Sequence, residues 1–505
     1  MPISRRLTFV VLVFLMASIG CIFTYRFPWH VSVRRLVTTA ANGTTVMPPA
    51  PAGVLAEFLS TSKERYLAAL KDGTAREWTV VMGNEAGDLD TLASSVAYAF
   101  LANSRDRPAV ALQQTPRADL RLRPENVYAL DIAGLGNHDA LLCLDDVPKD
   151  VHYPPPGSQF ALVDHNALNA RFQLAHIQVH GTAPPEPVKI VGIIDHHEDE
   201  HAHEGPEVSP RIVQVPTGSC SSLVTNHFRS ASQTDIPPEL ASLLLSAILI
   251  DTDGLKPGGK AEPADRAAAQ YLIPIAQAHN AASLSEEPFV SQLTHTLNDK
   301  KFDVEPLGTR DLLRRDYKEY KIPRGDAQVS VGLATVPLGL ARIFELSSGR
   351  QSVSSNSSEE PAEFWSELDA WMAERGLDVL GVLCSFRTVK IKKNKDKMKT
   401  KTKTGRPAGT HRRQILTVVR ADVAVGADDV FSGLENAGIL QLQRITLPPK
   451  EASASKDLTD TRPDGSRVRV YEQGNVDASR KAIAPLFRSV ISGNAAINNG
   501  AAVDA

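Results

Sequence analysis

At 505 residues the chain exceeds what one hydrophobic core organises, so two domains with extensions are expected. A net charge of only -3 provides no global field toward nucleic acid, and no nucleic-acid partner is expected. Four cysteines (Cys21, Cys143, Cys220, Cys384) have no metal-ligand spacing and form no disulfide framework, which points to a reducing compartment rather than secretion.

From the N-terminus, Leu7 to Tyr25 is almost wholly apolar, between Arg5-Arg6 and Arg26. As a helix it would span roughly 28 Å, about a bilayer core. Membrane contact through residues 7–25 as a single-pass anchor is one expectation. A cleaved signal, a mitochondrial presequence and a cytoplasmic protein that does not use the segment are the others. Residues 1–55 read as this segment plus a linker, with Pro48-Pro49-Ala50-Pro51 near its end. Val54 to Lys71 has helical spacing.

From about residue 76 to 290, strand-like runs alternate with helix-like ones, which predicts an α/β fold with a doubly wound parallel sheet over 56–295. Three apolar runs stop at acidic text. Trp78 to Met82 leads into Gly83-Asn84-Glu85-Ala86-Gly87-Asp88-Leu89-Asp90, Phe160 to Val163 into Asp164-His165-Asn166, and Ile190 to Ile194 into Asp195-His196-His197. A buried parallel strand that ends on a carboxylate puts it at the edge where α/β sites assemble. Ile248-Leu249-Ile250 before Asp251 reads as a fourth such end, with Asp253 a weaker candidate. Leu92 to Phe100 opens a helix behind the first acidic loop. Ala183 to Pro187 is a surface loop.

A smaller mixed α/β domain is expected over 300–495, with strands at Val329–Val336, Val379–Phe386 and Ile415–Ala421 and a helix at Ala362–Arg375. Polar insertions near 347–360 and 390–410 interrupt it. The second carries the lysine-rich run Lys390 to Arg406 and reads as a solvated hairpin loop, or, as the sharper option, a docking surface for a polyanion.

These acids are hard-cation ligands, and their concentration at one sheet edge predicts a dinuclear metal centre. Asp88 and Asp90, flanking Leu89 in an extended loop, can reach two cations, and Asp164 is placed to bridge them. His196 supplies a nitrogen. His197 points elsewhere if the pair is extended, so it is cast as a substrate donor. Asp199, Glu200, His201 and His203 read as a solvated loop.

Taken in order, Asp88-x-Asp90, Asp164-His165-Asn166, Asp195-His196-His197 and Ile250-Asp251-Thr252 resemble the DHH phosphoesterase superfamily. Arg315-Asp316-Tyr317-Lys318 and Ala478-Ser479-Arg480-Lys481 resemble the motifs of its DHH-associated domain, which family II inorganic pyrophosphatases and fungal exopolyphosphatases share. The resemblance implies an active site in the cleft between two domains, with metal ligands Asp88, Asp90, Asp164, His196 and Asp251. It implies two divalent cations, Mn2+ or Mg2+, with Co2+ as an option. Phosphate contacts would be His197, Lys318, Arg480 and Lys481, assisted by Ser479, His165 and Gly218-Ser219. Asp195 would orient the histidine pair. Where the pyrophosphatases carry a ligating histidine this chain has Asn84, a weak or absent ligand, as in exopolyphosphatases and prune phosphodiesterases. The expected activity is therefore release of orthophosphate from linear inorganic polyphosphate, by a monomer. The alternatives are a prune-like nucleotide or short-chain phosphodiesterase, an inorganic pyrophosphatase, or a membrane-tethered polyphosphate-binding protein.

Overall fold

The computed structural model describes residues 53–173, 186–231, 235–280, 289–347, 362–388, 402, 404–446 and 461–493. The 7–25 segment, nearly all of the serine-rich stretch and every lysine of the 390–406 run lie outside these residues. Among the described residues no helix is long and apolar enough to cross a membrane.

Six strands form an all-parallel first sheet: β1 Thr79–Met82, β2 Ala109–Gln113, β3 Leu142–Cys143, β4 Gln159–Val163, β5 Lys189–Asp195 and β6 Arg211–Val213. Their spatial order is β3-β2-β1-β4-β5-β6. Side chains alternate between two covered faces. Val80, Met82, Phe160 and Leu162 enter one buried cluster, and Val81, Ala161 and Val163 enter the other. Burial on both faces is why these runs are apolar without alternation.

Among the described residues seven α-helices accompany this sheet: α1 Val54–Asp72, α2 Leu89–Ala102, α3 Pro124–Ile132, α4 Cys220–Ala231, α5 Pro238–Asp251, α6 Pro263–Asn280 and α7 Phe289–Phe302. Strand order reverses between β1 and its neighbour β4, so a crevice opens beyond their C-terminal ends. The first acidic loop and Asp164 both emerge there.

Asp251 is not a strand end, as the sequence suggested. It closes α5, whose residues Leu240 to Ile250 are all buried. A helix buried on every side shows no amphipathic period, so its apolar text reads equally well as a strand.

The second sheet is mixed. Its strands are β7 Tyr317–Arg324, β8 Ala327–Val336, β9 Val379–Thr388, β10 Thr410–Val419, β11 Leu442–Ile445 and β12 Arg467–Gln473, in the order β11-β12-β10-β9-β8-β7. Only β8 and β9 pair in parallel. Helices α8 Thr309–Arg315, α9 Leu340–Ser347 and α10 Ala362–Arg375 pack on one face, and α11 Ala427–Asn436 and α12 Arg480–Ser492 on the other. The connection between β9 and β10 returns to the first sheet's helices. Asn298 Nδ2 donates to the Thr404 carbonyl at 2.9 Å, and Arg406 Nε lies 3.0 Å from Asp253 Oδ1. Asp253 is thereby occupied as an ion-pair partner rather than a cleft ligand.

Candidate metal and phosphate site

The acidic loop runs from β1 into α2 and passes tightly against it. A Cβ on Gly83 would lie 2.3 Å from Thr91 Cγ2, and Gly87 has a φ of 59°, which side chains other than glycine rarely adopt. Asp88 caps α2, its Oδ1 accepting from Thr91 N at 3.0 Å. Asp90 lies in the first helical turn rather than in extended chain. Its carboxylate sits at the N-terminus of α4. Oδ1 accepts from Ser219 Oγ (2.8 Å), Ser221 N (2.8 Å) and Ser221 Oγ (2.7 Å), and Oδ2 accepts from Cys220 N at 2.6 Å. Burial, then the nearby Asp164 charge, push its carboxyl above the usual range.

Asp164 is the point of convergence. It follows β4 with a left-handed φ of 60°, a conformation that turns the chain into the crevice. Oδ2 accepts from Asn84 Nδ2 at 2.7 Å and Thr91 Oγ1 at 2.5 Å. Oδ1 lies 3.2 Å from His196 Nε2 and 3.6 Å from His197 Nδ1. Burial alone would raise this carboxyl, but the His196 and His197 rings and the Thr91 hydroxyl hold it well below the usual range.

His196 Nδ1 meets the Thr217 carbonyl at 3.1 Å. That contact assigns the proton to Nδ1 and aims Nε2 at Asp164 and, at 3.7 Å, at Asp90 Oδ2. Burial would lower the ring, but Asp164 and Asp90 raise it to about 9. A ring nitrogen facing two carboxylates needs a cation between them, either a proton or a metal ion. The donor set of carboxylate oxygens and one imidazole suits a hard or borderline divalent ion. Among the described residues Asp164, His196 and His197 bring one ligand atom each within 4.8 Å of one another, a set that includes His197 and neither Asp88 nor Asp251.

Asp195 is fully buried and fully used. Oδ1 accepts from His197 Nδ1 and from the His196 backbone N–H, both at 2.8 Å, and Oδ2 accepts from Asn166 Nδ2 at 2.6 Å. Asn84 is equally committed. Its Oδ1 accepts from Ala86 N at 2.9 Å while Nδ2 donates to Asp164 Oδ2 and to the Asp164 carbonyl, the latter at 3.0 Å. With its oxygen turned to the backbone, the amide presents no lone pair to a cation beside Asp164.

The site opens into a cleft of about 570 Å³ lined by both halves of the structure. Asp88, Asp90, Asp164, His196, His197 and Asp251 lie on one wall, and Lys318, Ser479, Arg480 and Lys481 on the other. Ser479 caps α12, so Arg480 and Lys481 stand on that helix's first turn. Burial and then the Asp90 charge push the Asp251 carboxyl to about 8, with Lys301 opposing. His165 Nδ1 lies 2.9 Å from the Val163 carbonyl, and its buried Nε2 has no partner. Burial lowers this ring, so the neutral form offers an acceptor to the cleft. It becomes a phosphate donor only once protonated.

Gly218 and Ser219 do not serve the cleft in the way the sequence suggested. Their N–H groups donate to Asp265 at 2.8 and 3.2 Å, and Ser219 Oγ is held by Asp90. Three further cations line the cleft that sequence reading missed: Lys260, Arg413 and Arg488. None stands beside an acidic motif. Asp199 is bound through both oxygens to Arg211 at 2.6 and 2.8 Å, and its neighbours His201 and Glu204 are exposed.

Gly83→Ala tests the tightness of the acidic loop. The added Cβ collides with the Thr91 side chain and comes within 3.0 Å of the Thr91 carbonyl. The Thr91 hydroxyl must then leave Asp164. Overpacking of this kind costs about 1–3 kcal/mol, and turnover should fall more than stability explains. Thermal melts measured beside kcat check this.

The DHH family N-terminal domain profile matches residues 78–248, and the DHHA2 domain profile matches residues 295–490. A Schizosaccharomyces pombe protein named "Putative exopolyphosphatase" is 33% identical over 57% of this chain and 71% of its own length. Human "Exopolyphosphatase PRUNE1" is 25% identical over 84% of this chain and 78% of its own. A Streptococcus agalactiae "Probable manganese-dependent inorganic pyrophosphatase" is 31% identical over 35% of this chain and 49% of its own. With acidic strand ends, a histidine pair and a cationic wall meeting in one cleft, and with both domain profiles matched in order, the chain belongs to the DHH family and is a metal-dependent phosphoesterase.

Proposed function

We propose that this protein is an exopolyphosphatase that hydrolyses the terminal phosphoanhydride bond of linear inorganic polyphosphate and releases orthophosphate. The observation that carries this reading is the opposed charge of the cleft. A carboxylate and imidazole wall faces Lys318, Arg413, Arg480, Lys481 and Arg488, and Lys260 joins them from the first-sheet side, more cations than one small phosphate requires. Similarity to relatives named exopolyphosphatase supports it.

Asp88, Asp90 through Oδ2, Asp164, His196 and Asp251 would hold two divalent cations, Mn2+ or Mg2+, with Co2+ as a further option. Such ions supply Lewis acidity and lower the pKa of a bound water toward ~7. Lys318, Arg480 and Lys481 neutralise the phosphoryl oxygens, the main work of a protein in phosphoryl transfer. His197, held by Asp195 through Nδ1, has Nε2 left to give a proton to the departing chain. Ser479 and His165 line the same space.

Asn84 bears on substrate choice. Asn84→His replaces a locked amide with an imidazole able to ligate, and it should raise the pyrophosphate-to-polyphosphate rate ratio by about tenfold, the scale of a change in metal-site ligation. Rates on pyrophosphate, tripolyphosphate, long-chain polyphosphate and a cyclic nucleotide check it. An unchanged ratio removes Asn84 from the account.

The raised His196 and Asp251 groups predict a pH dependence. Both carry a proton at pH 7 in the metal-free protein, and a metal ion must displace it. Mn2+ affinity should therefore climb between about pH 7 and 9, with protons released on binding. Both pKa values exceed their unfolded values, so the folded state binds more protons and metal-free stability falls as pH rises through the same window. Calorimetry in two buffers of different ionisation enthalpy, with melts in chelator, measures both.

A further inference from the structure

Arg123 is a buried arginine that no acidic motif contains. Its Nε and Nη2 both donate to the Ala86 carbonyl, at 3.1 and 2.6 Å, inside the acidic loop between Asn84 and Asp88. Nη2 also lies 3.7 Å from Asp316 Oδ1. Asp316 holds Arg480 in turn. Its Oδ1 is 2.8 Å from Arg480 Nη2, and its carbonyl accepts from Arg480 Nη1 at 3.0 Å. A continuous polar path therefore runs from the acidic loop of the first sheet to the first turn of α12 beyond the second.

Glu125 anchors the path from behind. Its Oε1 lies 2.7 Å from Arg315 Nη2 and 3.4 Å from Arg123 Nη1, and Arg315 Nε donates to the Leu122 carbonyl at 2.8 Å. Both Glu125 and Arg315 are buried, so this pairing fastens α8 to α3 away from solvent. Among the described residues, Arg123, Arg315 and Arg480 have two carboxylates within ion-pair distance, Glu125 and Asp316. Three guanidiniums are thus paired directly with two carboxylates, and Arg480 is the member that lines the cleft. Asp316 Oδ1 is thereby shared between Arg123 and Arg480. Only a planar guanidinium can meet a carbonyl with two donors and a carboxylate with the same fork.

We infer that Arg123 is a positioning residue, which sets the Ala86 loop and, through Asp316, the Arg480 guanidinium at a fixed separation across the cleft. This rests on the phosphate role proposed for Arg480. Without Arg123, Asp316 holds Arg480 alone, and Arg480 meets phosphate less readily.

The test is a double-mutant cycle on Arg123→Gln and Arg480→Gln, read as KM for long-chain polyphosphate and as affinity for orthophosphate in the presence of Mn2+. Arg123→Gln should raise KM and weaken orthophosphate binding by about tenfold, within the range of coupling between contacting residues. On top of Arg480→Gln it should add less than about twofold. Multiplying effects would overturn the inference, as would an Arg480→Gln variant that leaves both quantities unchanged. Should Arg123→Gln fail to fold, Arg123→Lys carries the same cycle, since it keeps the charge but not the fork. A wild-type protein that leaves polyphosphate intact would sink the substrate reading, while orthophosphate affinity would still score Arg123.

Discussion

Asp164→Ala should lower kcat by at least ~10³-fold, equivalent to about 4 kcal/mol of lost transition-state stabilisation. The reason is its connectivity. One oxygen of Asp164 faces both histidines, and the other is held by Asn84 and Thr91. Removing the carboxylate leaves His196 Nε2 with only the more distant Asp90, and takes from the cleft the carboxylate that faces both histidine rings. Asp164→Asn separates charge from shape: it keeps the volume and should lose nearly as much activity. Circular dichroism and Mn2+ titration beside kcat distinguish loss of metal from loss of fold. Near-normal turnover of Asp164→Ala would contradict the placement of the metal site.

Asp195→Asn should lower kcat by about 10²-fold, the upper end for a group that orients a site imidazole. Asp195 receives three donors: the His197 ring, the His196 N–H and the Asn166 amide. An asparagine there must turn its own NH₂ toward at least one of them, whichever way the amide lies. Facing His197, it makes Nδ1 an acceptor, so the ring is held as the neutral Nε2–H tautomer and loses the carboxylate that stabilises its doubly protonated, proton-donating form. Facing Asn166, it sets donor against donor in a buried site, which costs about 1–3 kcal/mol. The loss should fall on kcat more than on KM, because the phosphate-facing cations are untouched. Equal changes in both would argue that Asp195 supports binding rather than proton delivery.

The strand ends were legible because a parallel strand buried on both faces writes its whole length in apolar residues and stops abruptly. Thr79–Met82, Gln159–Val163 and Lys189–Asp195 are such strands. Their neighbourhood was not legible. Strands β2 and β3 lie between β1 and β4 in sequence but to one side of both in space, so the β1–β4 crevice is a property of strand order. The start of α2 was readable in principle, since Asp88 before Leu-Asp-Thr is an N-cap signal. Asp251 was misread because α5 is buried all round and carries no helical period. The committed states of Asn84, Ser219 and Arg480 depend on partners far away in the chain (Asp164, Asp90 and Asp316), and no local pattern announces them. The same holds for Arg123, whose importance comes wholly from what it touches.

The decisive measurement uses the full chain with Mn2+ and with excess chelator: orthophosphate release from long-chain polyphosphate and pyrophosphate, and nucleoside monophosphate formation from a cyclic nucleotide. The account predicts that kcat/KM for long-chain polyphosphate exceeds that for the other two by at least about tenfold, and that all release stops in chelator. Faster cleavage of pyrophosphate or the cyclic nucleotide, or release that persists without metal, would contradict it.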